Sequence, residues 1–274
     1  MTQSRSNGID DPMSRGAWSL FEMSYVDAQE LLRHTKVGMI VVGSTEQHGP
    51  HLPLGTDAMG AMAVARKVRE RIPIVIAPPV LVGYSPYHMS WAGGMTLRSE
   101  TLLAVLSDYG TSLVQHGVRQ IVFLNGHGGN KPIIDIAASD LQLRTGARVL
   151  VINYPYLNES VFGARFDLAH AGRFETAAVM AYDQQLVHID RATDPSSDAS
   201  YARQTKYRGI GAYPIRGDFR EILPTGWSGK PHDATKQDAT DLAEKMADRV
   251  VALIEEEFAT GSGGAPPLGG AGHS

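Results

Sequence analysis

The sequence contains no cysteine among its 274 residues. This absence excludes disulfide bonds, thiolate zinc sites and a cysteine nucleophile, so any metal ion would have to bind through His, Asp or Glu. The sequence also lacks the G-x-S-x-G pattern that places a serine nucleophile at a strand-to-helix turn. Covalent catalysis by a thiol or by such a serine is therefore not expected.

Long apolar stretches and a strong excess of one charge are also missing. No run approaches the ~18 apolar residues that cross a membrane, and the N-terminal residues 1–16 lack the apolar segment of a secretion signal. The 25 Lys and Arg against 29 Asp and Glu give a net charge of −4, which is unlike a polybasic nucleic-acid binder. We therefore expect a cytoplasmic protein with no nucleic-acid and no membrane partner.

Short β-branched runs alternate with longer segments of helical periodicity, a pattern typical of βαβ units around a mostly parallel sheet. The predicted strands are residues 37–44, 74–79, 120–125 and 148–154. The predicted helices are residues 58–71, 99–116, 131–145, 174–184 and 234–258. Together they predict a single α/β domain over residues 17–259, with a mostly parallel β-sheet sandwiched by helices.

Three segments fall outside this alternation. Residues 1–16 and 260–274 have too few core-forming side chains to offset the entropy of ordering, so we expect a flexible N-terminal tail and a disordered, Gly/Pro-rich C-terminal tail. Residues 190–231 are rich in Gly, Pro, Asp and Arg without a clear period. This segment is predicted to be an irregular surface excursion or part of a subunit contact.

A polar cluster, GSTEQHGPHLPLGTDA at residues 43–58, follows the first predicted strand, where ligands bind in open α/β sheets. Glu46 and His48 are two residues apart, so an extended backbone points both side chains the same way. With Asp57 they form a donor set suited to Zn²⁺, Mn²⁺ or Fe²⁺. An isolated Glu-x-His pair is more often an ordinary polar loop, so this hypothesis depends on the other clusters.

The second cluster, LNGHGGNK at residues 124–131, follows the third predicted strand. Its glycines let the backbone around His127 approach another group closely and turn sharply into a helix. A phosphate site at the helix N-terminus is the competing interpretation. The G-x-x-x-x-G-K-[ST] spacing is absent, and Lys131 is not followed by Ser or Thr. We therefore favour His127 as a metal ligand.

The third cluster, HAGRFETA at residues 170–177, opens a predicted helix. Glu175 lies in the first turn, where a carboxylate is also favoured simply as a group that complements the helix dipole. Considered alone, that capping role is the better interpretation. His170 could be a structural histidine, a metal ligand or a proton donor, and its position in the sequence does not rank these roles.

Several other residues are candidates for substrate contacts. Tyr87, His88 and Trp91 belong to an aromatic group after the second predicted strand, which would either wall a pocket or pack in the ordinary way. Arg173 could hold a carboxylate or phosphate, or it could be a solvated charge at a helix end. Trp227, in the sequence PTGWSGKP, is predicted to cap the site from a loop.

The three clusters together resemble the creatininase family of metal-dependent amidohydrolases, over about residues 37–234. The resemblance implies an α/β fold, two divalent metal ions per subunit and a homohexamer. It implies that Asp57 bridges the two metal ions, that Glu175 is the glutamate that completes the second metal site, and that His170 lies near the substrate. The metal ligands that it implies are Glu46, His48, Asp57, His127 and Glu175.

The sequence departs from the family members that open creatinine in several places. Those members have N-G-H-Y-E-N in the second cluster, where Gly128 and Gly129 replace the Tyr and the Glu. The acidic residue expected before the third-cluster histidine is replaced by Ala169. The acidic residue expected three positions after that histidine is replaced by Arg173. The usual F-P-G-T is W-A-G-G at residues 91–94. Gly128 and Arg173 thus become candidate substrate contacts, and a small molecule other than creatinine is expected.

The resemblance implies a hydrolase that cleaves a C–N bond of a small cyclic or linear amide by attack of a metal-bridging hydroxide. His170, with an ordinary pKa of ~6.5, is the candidate general acid for the leaving nitrogen, and Glu175 is the second candidate catalytic residue. Zn²⁺ is the expected metal, with Mn²⁺ and Fe²⁺ as alternatives. A deformylase, a short-peptide peptidase, a lactone or ring-opening hydrolase, a metal-dependent lyase and a non-catalytic metal-binding protein remain alternatives.

Overall fold

A parallel sheet of four strands forms the centre of the protein, in the order β2-β1-β3-β4. It is seen in a computed structural model, in which residues 17–166, 169–196, 215 and 217–259 are described. The strands are β1 Val37–Val42, β2 Val75–Ile76, β3 Gln120–Asn125 and β4 Arg148–Asn153. The register pairs Val42 with Asn125 and Asn125 with Asn153, so three strands end level with one another.

Helices cover both faces of the sheet. Those in the described part are α1 Tyr25–His34, α2 Thr56–Arg71, α3 Ser99–Gln115, α4 Lys131–Thr145, α5 Asn158–Phe162, α6 Arg173–Asp183 and α7 Lys236–Ala259. Alternate β1 side chains point to opposite faces: Met39 and Val41 join a core with α2, α6 and α7, whereas Ile40 and Val42 join a core with α1, α3 and α4. This confirms the predicted single α/β domain.

The second predicted strand is shorter than expected. Pro78 and Pro79 have no N–H group and cannot complete a ladder of hydrogen bonds. The neighbouring N–H groups of Ala77 and Val80 still donate to the carbonyls of Met39 and Val41, both at 2.9 Å. The chain therefore continues beside β1 beyond the two residues of regular strand.

Two helices, α1 and α5, were not predicted from the sequence. Helix α1 begins with a capping box, in which Ser24 Oγ accepts from the Asp27 N–H at 3.2 Å and the Asp27 carboxylate accepts from the Ser24 N–H at 3.3 Å. Helix α2 begins at Thr56, so Asp57 lies in its first turn and not in the preceding loop.

The predicted tails, residues 1–16 and 260–274, lie outside the described residues, as does the middle of the 190–231 segment. The described parts of that segment contain short 3-10 helices, Phe219–Glu221 and Pro231–Asp233 among them. None of the helices in the described ranges combines the length and the apolar character that crossing a membrane requires.

Candidate metal centre

The loop after β1 carries Glu46 and His48 into the interior. At its start Gly43 packs against α2 so closely that a Cβ atom would lie within 3.0 Å of the Ala58 backbone. The Glu46 N–H donates to the carbonyl of Leu54 at 2.9 Å, which closes the loop on itself. As a result Glu46 is 1% exposed and His48 is 0% exposed.

Asp57 lies between two histidines. Its Oδ1 is 3.3 Å from His48 Nε2, and its Oδ2 is 3.1 Å from His127 Nδ1. Asp57 belongs to the first turn of α2, whereas His127 follows the end of β3. One carboxylate thus faces two imidazoles through different oxygen atoms, which is the arrangement that a carboxylate bridging two ions requires.

Glu46 and Glu175 extend the cluster on opposite sides of Asp57. Glu46 Oε2 is 3.3 Å from His127 Nδ1 and accepts a hydrogen bond from Ser44 Oγ at 2.8 Å. Glu175 Oε2 is 3.6 Å from His48 Nε2. Two groups with donor atoms within 4.8 Å of one another are Glu46–Asp57–His127 and His48–His170–Glu175. The structure therefore brings all five predicted ligands together.

The start of α6 holds Glu175 in this position. The Ala171 N–H donates to Glu175 Oε2 at 2.5 Å. Ala171 has a φ of 56°, a left-handed conformation that is uncommon for residues other than glycine. Its carbonyl oxygen accepts from His51 Nε2 at 2.9 Å. The carboxylate therefore both ties down the backbone before the helix and faces the donor cluster, so the capping and metal-binding interpretations are compatible.

The buried charges shift one another's pKa values. Burial raises the pKa of Glu46 to about 7 against the attraction of His127, and it raises the pKa of Glu175 to about 7 against that of His48. Burial opposes protonation of His48, but Asp57 and Glu175 raise its pKa to about 10. Burial likewise opposes protonation of His127, whose pKa Glu46 and Asp57 raise to about 9. The carboxylates thus favour the presence of positive charge at this site.

Two atoms at the middle of the cluster have no hydrogen-bond partner in the described part of the chain. They are His48 Nε2 and Asp57 Oδ2; both are buried, and their contacts of 3.3 and 3.1 Å with Asp57 Oδ1 and His127 Nδ1 do not have the geometry of hydrogen bonds. Buried polar atoms are nearly always paired in native proteins. Carboxylate and imidazole donors of this kind suit Zn²⁺, Mn²⁺ and Fe²⁺, so the residues present fit a divalent cation.

His170 lies beside the cluster, and its ring stacks on that of His48 with centroids 4.3 Å apart. Its Nε2 lies 2.8 Å from the carbonyl oxygen of Gln47 and 3.1 Å from the Gln47 side-chain Nε2. Burial, followed by the neighbouring His48 and His88, holds the pKa of His170 well below its usual value. The predicted general-acid role would need a second proton on this ring, which burial disfavours.

The side chain of Gln47, which the sequence analysis did not single out, helps to position residues of the site. Its Nε2 donates to the carbonyl of Gly226 at 2.9 Å and lies 3.2 Å from His88 Nδ1. The other ring nitrogen, His88 Nε2, is 3.3 Å from Glu46 Oε1. His88 therefore contacts a predicted metal ligand directly and, with Glu46 and His170, forms a third group of donor atoms.

A cavity of about 220 Å³ opens onto the cluster. Of the predicted substrate contacts, Tyr87, His88 and Gly128 line this cavity. Trp91 and Trp227 instead line a neighbouring cavity of about 300 Å³. Trp227 is 2% exposed, and its ring meets the ring of His51 edge-on at 5.0 Å. It is therefore packed in the protein and does not cap the cavity over the cluster.

Arg173 does not contact this cavity either, contrary to the expectation from its place in the third cluster. Its guanidinium donates to both carboxylate oxygens of Asp238 on α7, at 2.9 and 3.0 Å, and lies over the ring of Phe166. Asp238 is 0% exposed and also accepts from Arg165. A buried carboxylate needs such partners, so the side chain of Arg173 points away from the site.

Other supporting residues were missed because only the fold shows their role. Asn125 Nδ2 donates to the carbonyl of His127 at 2.7 Å, and Asn130 Nδ2 donates to the carbonyl of Gly43 at 2.9 Å. The two asparagines are the first and last residues of the N-G-H-G-G-N sequence, which could have indicated their role. Phe219 forms part of the cavity wall from within the segment predicted to be irregular, where no pattern indicated it.

The sequence profile of the creatininase family, described as creatinine amidohydrolase, matches residues 21–254. The chain therefore belongs to the creatininase family. Its fold is that of a solved creatinine amidohydrolase (creatininase), with a TM-score of 0.68 at 23% identity over 88% of this chain and 98% of that chain.

Two relatives are named for different substrates. The mycofactocin precursor peptide peptidase of Mycobacterium tuberculosis is 45% identical over 234 residues, which cover 79% of this chain and 83% of that protein. The creatinine amidohydrolase of Pseudomonas putida is 31% identical over 177 residues, which cover 57% of this chain and 68% of that protein. Both names describe hydrolysis of an amide bond, and they differ in the substrate.

Proposed function

We propose that this chain is a metal-dependent hydrolase that cleaves an amide C–N bond in a short peptide. The observation that carries this proposal is the position of Asp57, whose two carboxylate oxygens face His48 and His127 at 3.3 and 3.1 Å. Glu46 and Glu175 add a carboxylate on each side. The arrangement offers donors for two cations at the carboxyl ends of the strands, where open α/β sheets bind their ligands.

The proposed cofactor is a pair of divalent ions per subunit, with Zn²⁺ as the first choice and Mn²⁺ or Fe²⁺ as alternatives. One ion would be held by Glu46, Asp57 and His127, and the other by His48, Asp57 and Glu175. Such ions supply a Lewis acid for the substrate carbonyl and a water that is acidic enough to react at neutral pH. Burial of Glu46, His48, Asp57 and His127 limits their contact with water, which strengthens the electrostatic interactions of the site.

The protein contributes substrate binding and orientation around these ligands. Tyr87, Tyr156 and Phe219 give the cavity aromatic walls, and Gly128 leaves space beside the Tyr156 hydroxyl. His170 lies beside these ligands, with its ring stacked on that of His48. An open, partly aromatic cavity suits a linear peptide segment, and the 45% identity to a precursor peptide peptidase supports that class over creatinine.

The assembly and location are further proposals. We propose a homohexamer, as the resemblance to the family implies, and a cytoplasmic location. Light scattering on the purified metal-loaded protein tests the first, and fractionation of producing cells tests the second.

The proposed function is tested with purified protein loaded with Zn²⁺ or Mn²⁺. It is incubated with peptides of four to eight residues, with creatinine and with small formamides, and products are identified by mass spectrometry. We expect cleavage of a peptide amide bond, loss of that activity on chelation and its return when the metal is restored.

Asp57→Asn is the informative variant, and Asp135→Asn is its matched control. Asp135 pairs with Lys131 on the surface of α4 and is 46% exposed, so its loss leaves the site intact. Asp57→Asn should abolish cleavage, and Asp135→Asn should not. Full activity of metal-free protein would overturn the proposal. Formate release or creatinine opening without peptide cleavage would reassign the substrate, and carbon–hydrogen exchange without hydrolysis would indicate a lyase.

A further inference from the structure

The ring of His127 has a fixed distribution of protons. Its Nδ1 faces the carboxylates of Asp57 and Glu46 at 3.1 and 3.3 Å. Its Nε2 lies 3.1 Å from the carbonyl oxygen of Tyr84. A carbonyl oxygen can only accept a hydrogen bond, so Nε2 donates and carries a proton. This holds whether Nδ1 is protonated or binds a cation.

The hydroxyl of Tyr87 also lies beside this nitrogen. The distance from Tyr87 Oη to His127 Nε2 is 3.2 Å. Because Nε2 already carries a proton, the hydroxyl oxygen can only accept in this contact. The phenolic proton of Tyr87 therefore remains available, and a phenol keeps that proton at neutral pH. In the described part of the chain no other group accepts it.

The side chain of Tyr87 lines the reaction cavity. Tyr87 is part of the same cavity wall as Glu46, Asp57 and His127. Its ring lies nearly parallel to that of His127, with centroids 6.3 Å apart and an interplanar angle of 27°. A substrate carbonyl that reaches the donor cluster therefore comes within range of this hydroxyl.

Gly129 makes this arrangement possible. A Cβ atom at this position would lie closer than 3.0 Å to the Tyr87 hydroxyl, to His127 Nε2 and to the Tyr84 carbonyl. Any side chain there would displace these three groups, whose mutual contacts position the Tyr87 hydroxyl. The last glycine of the G-H-G-G sequence is thus explained by the space that the hydroxyl needs.

We propose that Tyr87 is a catalytic residue whose hydroxyl donates a hydrogen bond to the carbonyl oxygen of the scissile amide and retains it as negative charge develops on that oxygen. The proton stays on Tyr87, so this contact needs no further reactant. A donor positioned in advance stabilises the transition state more than the ground state. This inference rests on the proposed amide hydrolysis.

The test is Tyr87→Phe, with Tyr109→Phe as the matched control. Tyr109 lies on α3, packs against the core that α3 shares with α1 and α4, does not line the cavity, and also loses one hydroxyl. We expect Tyr87→Phe to lower kcat by about 10²- to 10³-fold, the usual loss for one such donor, with KM changed less than about threefold. Its metal content should equal that of the unaltered protein, because Tyr87 is not a ligand.

Two readouts do not depend on turnover. A phosphinic pseudo-dipeptide mimics the tetrahedral transition state, and calorimetry should show about 10²-fold weaker binding to Tyr87→Phe than to Tyr109→Phe. A crystal structure of the unaltered protein with this inhibitor should place a phosphinyl oxygen about 2.8 Å from Tyr87 Oη.

Several results would overturn the role of Tyr87. Unchanged kcat and inhibitor affinity in Tyr87→Phe would do so, as would a phosphinyl oxygen more than about 4 Å from Oη. Loss of metal in the variant would show that the hydroxyl only holds His127. If the unaltered protein cleaves no peptide at all, the proposed function itself has failed. That outcome is distinguishable from failure of the Tyr87 role, because it is seen in the unaltered protein before any variant is compared.

Discussion

Asp57 Oδ2 lies 3.1 Å from His127 Nδ1, although the two residues follow different strands of the sheet. Gly126 is the reason that they can meet. Its N–H donates to the carbonyl of Val42 at 2.8 Å, and a Cβ atom at this position would lie within 3.0 Å of the Asp57 carbonyl. The junction of β1, β3 and α2 thus sets the geometry of the site.

Gly126→Ala should therefore disturb both stability and metal binding. The added methyl group must displace the Asp57 backbone, and overpacking of this kind costs about 1–3 kcal/mol. Urea unfolding and metal titration measure the two effects. Gly55→Ala is the control, because its Cβ would meet only the flexible end of Met59 at 3.4 Å. Equal behaviour of the two variants would contradict this role for Gly126.

Divalent metal should raise the thermal stability of the protein. A ligand at 100 times its dissociation constant adds about 2.7 kcal/mol if it binds only the folded state. For a domain of this size that corresponds to a rise in Tm of about 5–10 °C. Differential scanning fluorimetry with Zn²⁺ or with a chelator measures it. The same rise in Asp57→Asn would place the stabilising ion elsewhere.

The carboxylate of Asp238 should make stability depend on pH. Burial tends to raise the pKa of Asp238, but Arg173, Thr235 and Arg165 lower it below its ordinary value. A pKa lowered by folding stabilises the protein above the unfolded value of ~3.9, and this stabilisation is lost as the pH falls through the folded value. Asp238→Asn should therefore be less stable at pH 7, and the difference should shrink below about pH 4.

The expected loss for Asp238→Asn is about 2 kcal/mol at pH 7, below the ~3–5 kcal/mol of a fully buried pair because both arginines are partly exposed. Asp248→Asn is the control. Asp248 pairs with Arg71 but is 67% exposed, so its loss should cost less than about 1 kcal/mol. A pH-independent difference between Asp238→Asn and the unaltered protein would contradict this account.

The sequence predicted the elements with strong periodicity. Strand β3 and helix α4 have the predicted bounds, because continuous apolar strands and long amphipathic helices depend little on context. Helix α1 was missed although Ser24 and Asp27 carry the signature of a capping box. Strand β2 was predicted too long, because the predicted strand, residues 74–79, included Pro78 and Pro79, which have no N–H group to donate within a sheet.

The residues of the site that belong to the family motifs could be predicted from the sequence. The side-chain orientations that depend on tertiary packing could not. The five donor residues lie together as the motifs implied. The direction of a single side chain was not predictable, as Arg173 shows, because its partner Asp238 belongs to the last helix. The support from Gln47 depends on the Gly226 carbonyl, which no local pattern brings near the first loop.

Metal stoichiometry tests most directly whether Asp57 bridges two divalent ions. Elemental analysis after dialysis should give two ions per chain for the unaltered protein, about one for His48→Ala and for His127→Ala, and none for Asp57→Asn. One ion retained in Asp57→Asn, or a single ion in the unaltered protein under saturating metal, would contradict this bridging role.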